Sequence, residues 1–444
     1  MLGETFREFF NPKNFYAAQR PILRMTFFTG LTPFTVLREG SEVVLKCTTF
    51  GYLNSCIHIV IFCTCYVIAL VNQESVTAYF FSTEISTLGD FLQIMIGLAA
   101  LVMAFFYTIF RRNKLIQAFK SLARTDEHFK EIDVETNYKS TLLHNYLIVF
   151  IQIFVQASYW GISFTVTNLS NVRPSAAAWI SFLLPFTLTS MIISLFLCLV
   201  NQAKHRFYLL NKILGSLKEI SMEKHLEKRD SAKVIKFQKP LGISSVFSNT
   251  NRYLPDVINR VTRIQDELCD ACSGVEEYFK EQMLTIVTIA FLIVVFDSYY
   301  ILETIFTDTF VHTSFSRVQF VVFFLCQATL HAFGVLKIVY VSSRAVTEND
   351  KIAANVHKLI NVNSYDDEVV KQLAHLSMQL THRKIMFTAY GFFNLDFTLL
   401  FTLVGAATTY LIILVQFTLN QNELCGQKLI NSTIKSLGKN ASHN

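Results

Sequence analysis

Seven stretches of mostly apolar residues, each about 20 or more long, constrain this chain more than any other feature, because a helix of that length spans roughly 30 Å of hydrocarbon. They run Phe50–Asn72, Leu88–Phe110, Leu142–Val166, Ala178–Val200, Met283–Glu303, Val318–Val341 and Asp396–Leu419. A soluble domain carries about a quarter of its residues as Asp, Glu, Lys and Arg. Here the charged share is 16%, the hydrophobic share is 52% and there are 42 phenylalanines. The expected fold class is therefore an all-α membrane protein with seven transmembrane helices.

Lys and Arg set the orientation. The segment before the first span has six, the first loop none, the second seven, the third only Arg173, the fourth connection (201–282) fourteen, the fifth only Arg317 and the sixth six. Positive connections alternate with bare ones, which by the positive-inside rule predicts a cytoplasmic amino terminus and an extracellular carboxyl terminus. Acceptor triplets at Asn168, Asn431 and Asn440 all fall on the expected outer side. The first forty-odd residues hold Arg7, Lys13, Arg20, Arg24 and Arg38 without a long apolar core, so no cleavable signal peptide is expected and the first span starts insertion.

The net charge of +6 fits cytoplasmic loops beside anionic lipid, and no nucleic-acid polymer site is evident. Of nine cysteines, Cys56, Cys63, Cys65, Cys198 and Cys326 lie in spans, where they pack as small hydrophobes. Cys425 lies in the tail. Cys269 and Cys272 form a lone CxxC without a second pair, so a zinc or redox site is outweighed by a structural role.

The organisation follows from these boundaries: a cytoplasmic segment at 1–49, six spans with a ligand-pocket region at 50–341, a cytoplasmic helical anchor at 342–395, a seventh helix at 396–419 and an extracellular tail at 420–444. Asn201–Leu217 continues the helical period of the fourth span. Glu223–Asn251 is polar, contains Lys239-Pro240-Leu241-Gly242 and reads as a loop. From Pro255, Val257, Val261, Ile264 and Leu268 recur with helical spacing into the fifth span. Ala345–Ile360 extends the sixth span, a turn follows at Asn361–Ser364, and Asp366–Leu380 is amphipathic. Helices that project from the membrane on one side are expected to bundle and to hold subunits together.

Polar groups in spans are costly and face a cavity, a partner or water. Asp297 is the deepest ionisable one. Asp90 and Glu303 sit near span ends, and Lys337 can snorkel to the headgroups. Candidate ligand-binding residues in the outer halves of spans two to six are Gln93, Tyr159, Trp160, Asp297, Tyr300, Gln327 and His331, with Gln156, Trp179 and Gln319 nearby. Aromatic faces with a few amides suit a small-molecule pocket. The competing reading is an interfacial aromatic belt, which claims Trp179 and Tyr159 first.

In the last span Gly405, Thr409, Ile412 and Gln416 recur at three- and four-residue steps on one face, whereas Tyr410, Leu414 and Phe417 line another. An amide in lipid needs water or a partner, and copies of this face around a symmetry axis would supply a narrow aqueous path. Helix packing explains the same pattern.

Thr409-Tyr410-Leu411-Ile412-Ile413-Leu414-Val415-Gln416-Phe417 matches in full the TYhhhhhQF signature that ends the last span of insect gustatory receptors. The surrounding GFFNLDFTLLFTLVGAATTYLIILVQF, and FFSTEIS before the second span, resemble the branch associated with heat, light and ribonucleoside responses. The resemblance implies a ligand-gated cation channel subunit of a sensory-neuron plasma membrane. It further implies a tetramer, homomeric or mixed with other gustatory receptors, joined mainly by cytoplasmic helices. By the same resemblance the seventh span lines a central pore, with Gln416 facing it near its outer end and Phe417 helping to close it, so that Gly405, Thr409 and Ile412, on the helical face of Gln416, are expected to line it too; cations permeate, and a small-molecule ligand binds among spans two to six.

The main rival is a G-protein-coupled receptor or opsin. The predicted orientation is opposite to that class, no DRY-like triplet follows the third span, and Lys337 is not at mid-span as a retinal lysine would be. A transporter would need inverted repeats or broken helices. No constellation of carboxylates, metal ligands or nucleophiles points to an enzyme, and no cofactor is expected.

Overall fold

The computed structural model describes residues 11–39, 42–72, 74, 76, 84–169, 173–229, 254–306, 316–364 and 366–417. Among them are seven helices long and apolar enough to cross a membrane. The acceptor residues Asn431 and Asn440, Cys425, most of the segment 223–251 and the side chain of Asp90 lie outside the described residues.

The chain opens with helix α1 (Phe15–Phe28), capped by the Asn14 side chain, which accepts from the Ala17 amide at 2.9 Å. An antiparallel pair, β1 (Phe34–Glu39) and β2 (Glu42–Cys47), leads into the first span, α2 (Thr49–Val71). Then come α3 (Glu84–Phe110), α4 (Arg112–Glu131), α5 (Tyr138–Leu169), α6 (Ala176–Arg229), α7 (Leu254–Phe306), α8 (Arg317–Val362) and α9 (Asp367–His382). A two-residue pair, β3 (Thr388–Ala389) with β4 (Phe393–Asn394), precedes the last span, α10 (Phe397–Phe417).

Three helices cross the apolar layer and continue past it at one end, called here the charged end. The row Val257, Val261, Ile264 and Leu268 is buried along the extension of α7, as its spacing predicts. Beside it α8 buries Ala345, Ile352, Val356 and Leu359. Helix α9 adds Val369, Leu373, Leu376 and Leu380, with Asp366 capping its first turn. The helix expected to stop near Leu217 runs on to Arg229, so 223–229 is helical where a loop was expected. Glu, Lys and Arg in that run are good helix formers and favour its continuation.

Two helices were hidden in segments that sequence reading left as connections. Helix α4 is amphipathic and buries Leu115, Ala118, Phe119, Leu122 and Phe129 at helical spacing. Basic residues of α4 and its N-cap meet the acidic side of α7: the N-cap Arg111 pairs with Glu277 at 3.0 Å and Glu281 at 3.1 Å, and Arg124 with Glu267 at 3.4 Å. Helix α1 lies against α5, where Asn145 donates to the Ala18 carbonyl at 2.8 Å and to the Gln19 side chain at 3.0 Å. The connection after α9 returns along α7, where Arg383 pairs with Asp266 and Asp270.

Candidate functional site

Toward the end opposite the charged extensions, α2, α3, α5, α6, α7 and α8 surround a cleft with about 600 Å³ of empty space, counting its open mouth. Its walls include Tyr66, Gln93, Tyr159, Phe182, Phe186, Gln327 and His331. Tyr159 sits with its ring centroid 4.6 Å from Phe186 and 6.2 Å from Phe182, and its hydroxyl is 3.4 Å from the Gln327 side-chain oxygen. His331 bonds through Nδ1 to the Gln327 carbonyl at 2.9 Å and tilts against Phe186 at 5.2 Å. Aromatic area with a few placed amides is the composition of a small-molecule site.

One wall is shaped by a proline. Pro185 stands inside α6 and has no amide hydrogen, so the carbonyl of Ser181, four residues earlier, loses its helical donor. The Tyr66 hydroxyl of α2 replaces it at 2.9 Å, deep inside the protein. The irregular turn is thus satisfied where it lines a cavity, the setting in which membrane helices tolerate such breaks.

Two glycines bring α3 close to its neighbours. A Cβ at Gly89 would stand 2.3 Å from the Tyr300 hydroxyl and 2.7 Å from Phe296 Cδ1; one at Gly97 would stand 3.0 Å from the Tyr66 hydroxyl and 3.2 Å from Pro185. Side chains at these places would push α3 away from α7 and α6.

Of the residues singled out from sequence, Gln93, Tyr159, Gln327 and His331 line this cleft together. Asp297 lies one turn beyond the lining residue Ile293 on α7 and is completely buried. Tyr300 is buried in an adjoining aromatic cluster with Phe296 and Phe324, behind the wall. Trp160 is 40% exposed on α5 and is not among the lining residues, since its neighbour Tyr159 points inward and successive helical positions diverge. Gln156 bonds to Ser190 at 2.5 Å, Trp179 packs on Phe164, and Gln319 completes a capping box with Ser316. Lys337 lines a second chamber nearer the charged end, its ammonium 4.5 Å from the Phe333 ring centroid. Phe186, Ile289 and His331 border both spaces.

Helix α10 is the least covered span: 6% of its apolar stretch is buried, against 72% for α6. It touches the rest of the chain through the buried Leu399, through Leu400, Leu403, Leu411 and Leu414, and through Tyr410 against Phe291 at 5.9 Å. Gly405, Thr409, Ile412, Gln416 and Phe417 are exposed. The exposed threonines return their hydroxyls to their own helix, as Thr409 does to the Gly405 carbonyl at 3.0 Å. The Gln416 amide has no such partner among the described residues.

Residues 19–421 match the 7tm chemosensory receptor family. Putative gustatory receptor 28b of Drosophila melanogaster is 34% identical over 94% of this chain and 89% of its own length. The chain belongs to the insect gustatory receptor family. Putative gustatory receptor 28a of the same organism is 32% identical over 94% of this chain and 95% of its own. In fold, the gustatory receptor described here is similar to the insect olfactory receptor OR5 of Machilis hrabei, solved in complex with eugenol. The TM-score is 0.58 at 14% identity, covering 90% of this chain and 97% of that one. Family membership disfavours the G-protein-coupled and opsin readings.

Sequence reading missed several parts of this gustatory receptor. Tyr66, Ser181 and Pro185 gave one usable signal, a proline inside an apolar span. At the charged end Asp126 of α4 and Arg206 of α6 form an almost wholly buried ion pair, yet each sat unremarked in a charged connection. No pattern within either segment shows that the two meet.

Proposed function

We propose that this chain is the subunit of a ligand-gated, non-selective cation channel that serves taste or a related stimulus such as heat. The observation that carries the proposal is the bare face of α10. A spanning helix that leaves Gly405, Thr409, Ile412 and Gln416 uncovered on one side, with an unpaired amide among them, needs partner copies or water to satisfy that face. Four copies around an axis provide both, with Gln416 and Phe417 near one mouth of the pore and the projecting helices forming the bundle between subunits. The charge asymmetry, by the positive-inside rule, supports a cytoplasmic bundle and an outer mouth.

In this reading the cleft among α2 to α8 takes a small molecule. Ligand binding favours one packing of those helices over another, and the difference in affinity, multiplied over the subunits, draws α10 outward. The eugenol complex of the similarly folded olfactory receptor supports a small-molecule site of this kind.

The test is recording from the purified chain in a planar bilayer, with sugars, bitter compounds, ribonucleosides and a temperature ramp as stimuli. Unitary current steps are expected, and Gln416→Ala is expected to change conductance or cation selectivity while surface expression is retained. Steps unaltered in both respects by that substitution would remove Gln416 from the pore, and a complete absence of unitary steps would sink the channel reading.

A further inference from the structure

We propose that the ligand of the outer cleft carries a protonated amine, with the Asp297 carboxylate as its counter-charge. This rests on the reading of the cleft as a ligand site and adds the chemical class of the ligand.

Asp297 is 0% exposed, and neither of its carboxylate oxygens has a hydrogen-bond partner. No Lys or Arg is paired with it among the described residues, and none lines the cleft. The Gln93 amide nitrogen faces the carboxylate but closes no hydrogen bond of normal geometry, and it too is unsatisfied. A buried carboxylate is tolerated when something positive or hydrogen-bonding meets it, so this site lacks its complement.

The position adjoins the cleft. Ile289, Ile293 and Asp297 follow one another at four-residue steps on α7, and the first two are lining residues. Gln93 and Tyr159, both close to the Asp297 carboxylate, are lining residues as well. The titratable side chains on the cleft walls are Tyr66, Tyr159 and His331, and none is a fixed cation. Tyr159, Phe182 and Phe186 add aromatic faces, which attract ammonium groups through the ring quadrupole. One carboxylate and scattered amides are too few oxygens for Ca²⁺ or Mg²⁺, and no cluster of three metal-ligating side chains occurs among the described residues. An organic ammonium needs only the one charge and the aromatic walls.

A matched pair of probes tests the idea: phenethylamine and 2-phenylethanol, identical except for amine against hydroxyl, added to the purified full chain at pH 7 while its thermal unfolding is followed. The amine is expected to raise the midpoint more than the alcohol. Asp297→Asn should abolish that excess while leaving any effect of the alcohol unchanged, and Asp297→Glu should keep it. Equal shifts from the two probes, no shift from the amine, or an amine excess that survives in Asp297→Asn would each overturn the proposal. The asparagine has nearly the same shape and removes a buried charge, and monodisperse elution checks its folding. If it elutes as aggregate, the wild-type comparison of amine with alcohol decides. Because the readout is binding and not current, its failure is distinct from failure of the channel reading.

Discussion

Arg206 holds Asp126 at two points, with Nε 2.9 Å from Oδ1 and Nη2 2.7 Å from Oδ2, and the two side chains are 3% and 2% exposed. The pair ties α4 to α6, while the guanidinium also lies 4.9 Å from the centre of the Phe15 ring and donates to Gln202. Removing one partner strands a buried charge, at a cost of about 3–5 kcal/mol. Asp126→Ala and Arg206→Ala are therefore each expected to lower the unfolding midpoint and the yield of folded protein. The double change Asp126→Leu with Arg206→Met should recover much of the loss. Single variants that melt with the wild type would show that the pair does not hold the helices together.

The Tyr66 hydroxyl and the Ser181 carbonyl make a similar argument inside the membrane. Tyr66→Phe leaves a buried carbonyl without a donor, which costs about 1–3 kcal/mol. Pro185→Ala gives that carbonyl its helical amide back. The damage from Tyr66→Phe should thus shrink in the Pro185→Ala background. A thermal double-mutant cycle with no coupling between the two positions would contradict this.

Gly89 meets Tyr300 and Phe296 too closely for any side chain. Gly89→Ala should destabilise the fold by about 1–3 kcal/mol, the range for overpacking. Gly97→Ala meets looser contacts and should be milder. The order of unfolding midpoints, Gly89→Ala below Gly97→Ala below wild type, checks the packing of α3.

Cys269 and Cys272 lie on the part of α7 that projects beyond the stretch Met283–Glu303. Both are buried, and burial pushes the Cys269 thiol up to about 12 and raises that of Cys272 as well. Neither should react readily with maleimide in the folded protein at pH 7.5, and both should react once detergent unfolds it. Fast native labelling, read by mass spectrometry of the peptide, would show that this bundle opens.

The spans were legible because lipid demands an unbroken apolar run: the first was expected at Phe50–Asn72 and is Thr49–Val71, the last at Asp396–Leu419 and is Phe397–Phe417. The rows at Val257–Leu268 and Asp366–Leu380 were equally plain, since aqueous bundling leaves a helical stripe. Helix α4 carries an apolar stripe of its own, Leu115, Ala118, Phe119, Leu122 and Phe129, but its partner is not legible in it, since Arg111 and Arg124 answer Glu277, Glu281 and Glu267 from a helix more than a hundred residues away. Within the cleft, Gln93, Tyr159, Gln327 and His331 announced themselves as polar or aromatic groups in apolar runs. Phe182 and Phe186 did not, being two phenylalanines among forty-two.

Helix α8 has no joint between Gln327 and His331 at the cleft and Val356 and Leu359 in the charged bundle. About thirty residues separate these points, or roughly 45 Å of continuous helix. Rotating such a rod by one degree about its cleft end displaces the other by roughly 0.8 Å, simply from that length. A molecule no larger than a few rings, bound in the cleft as proposed and pressing on one turn of α8, would therefore work at the short end of a long lever whose far end lies in the bundle.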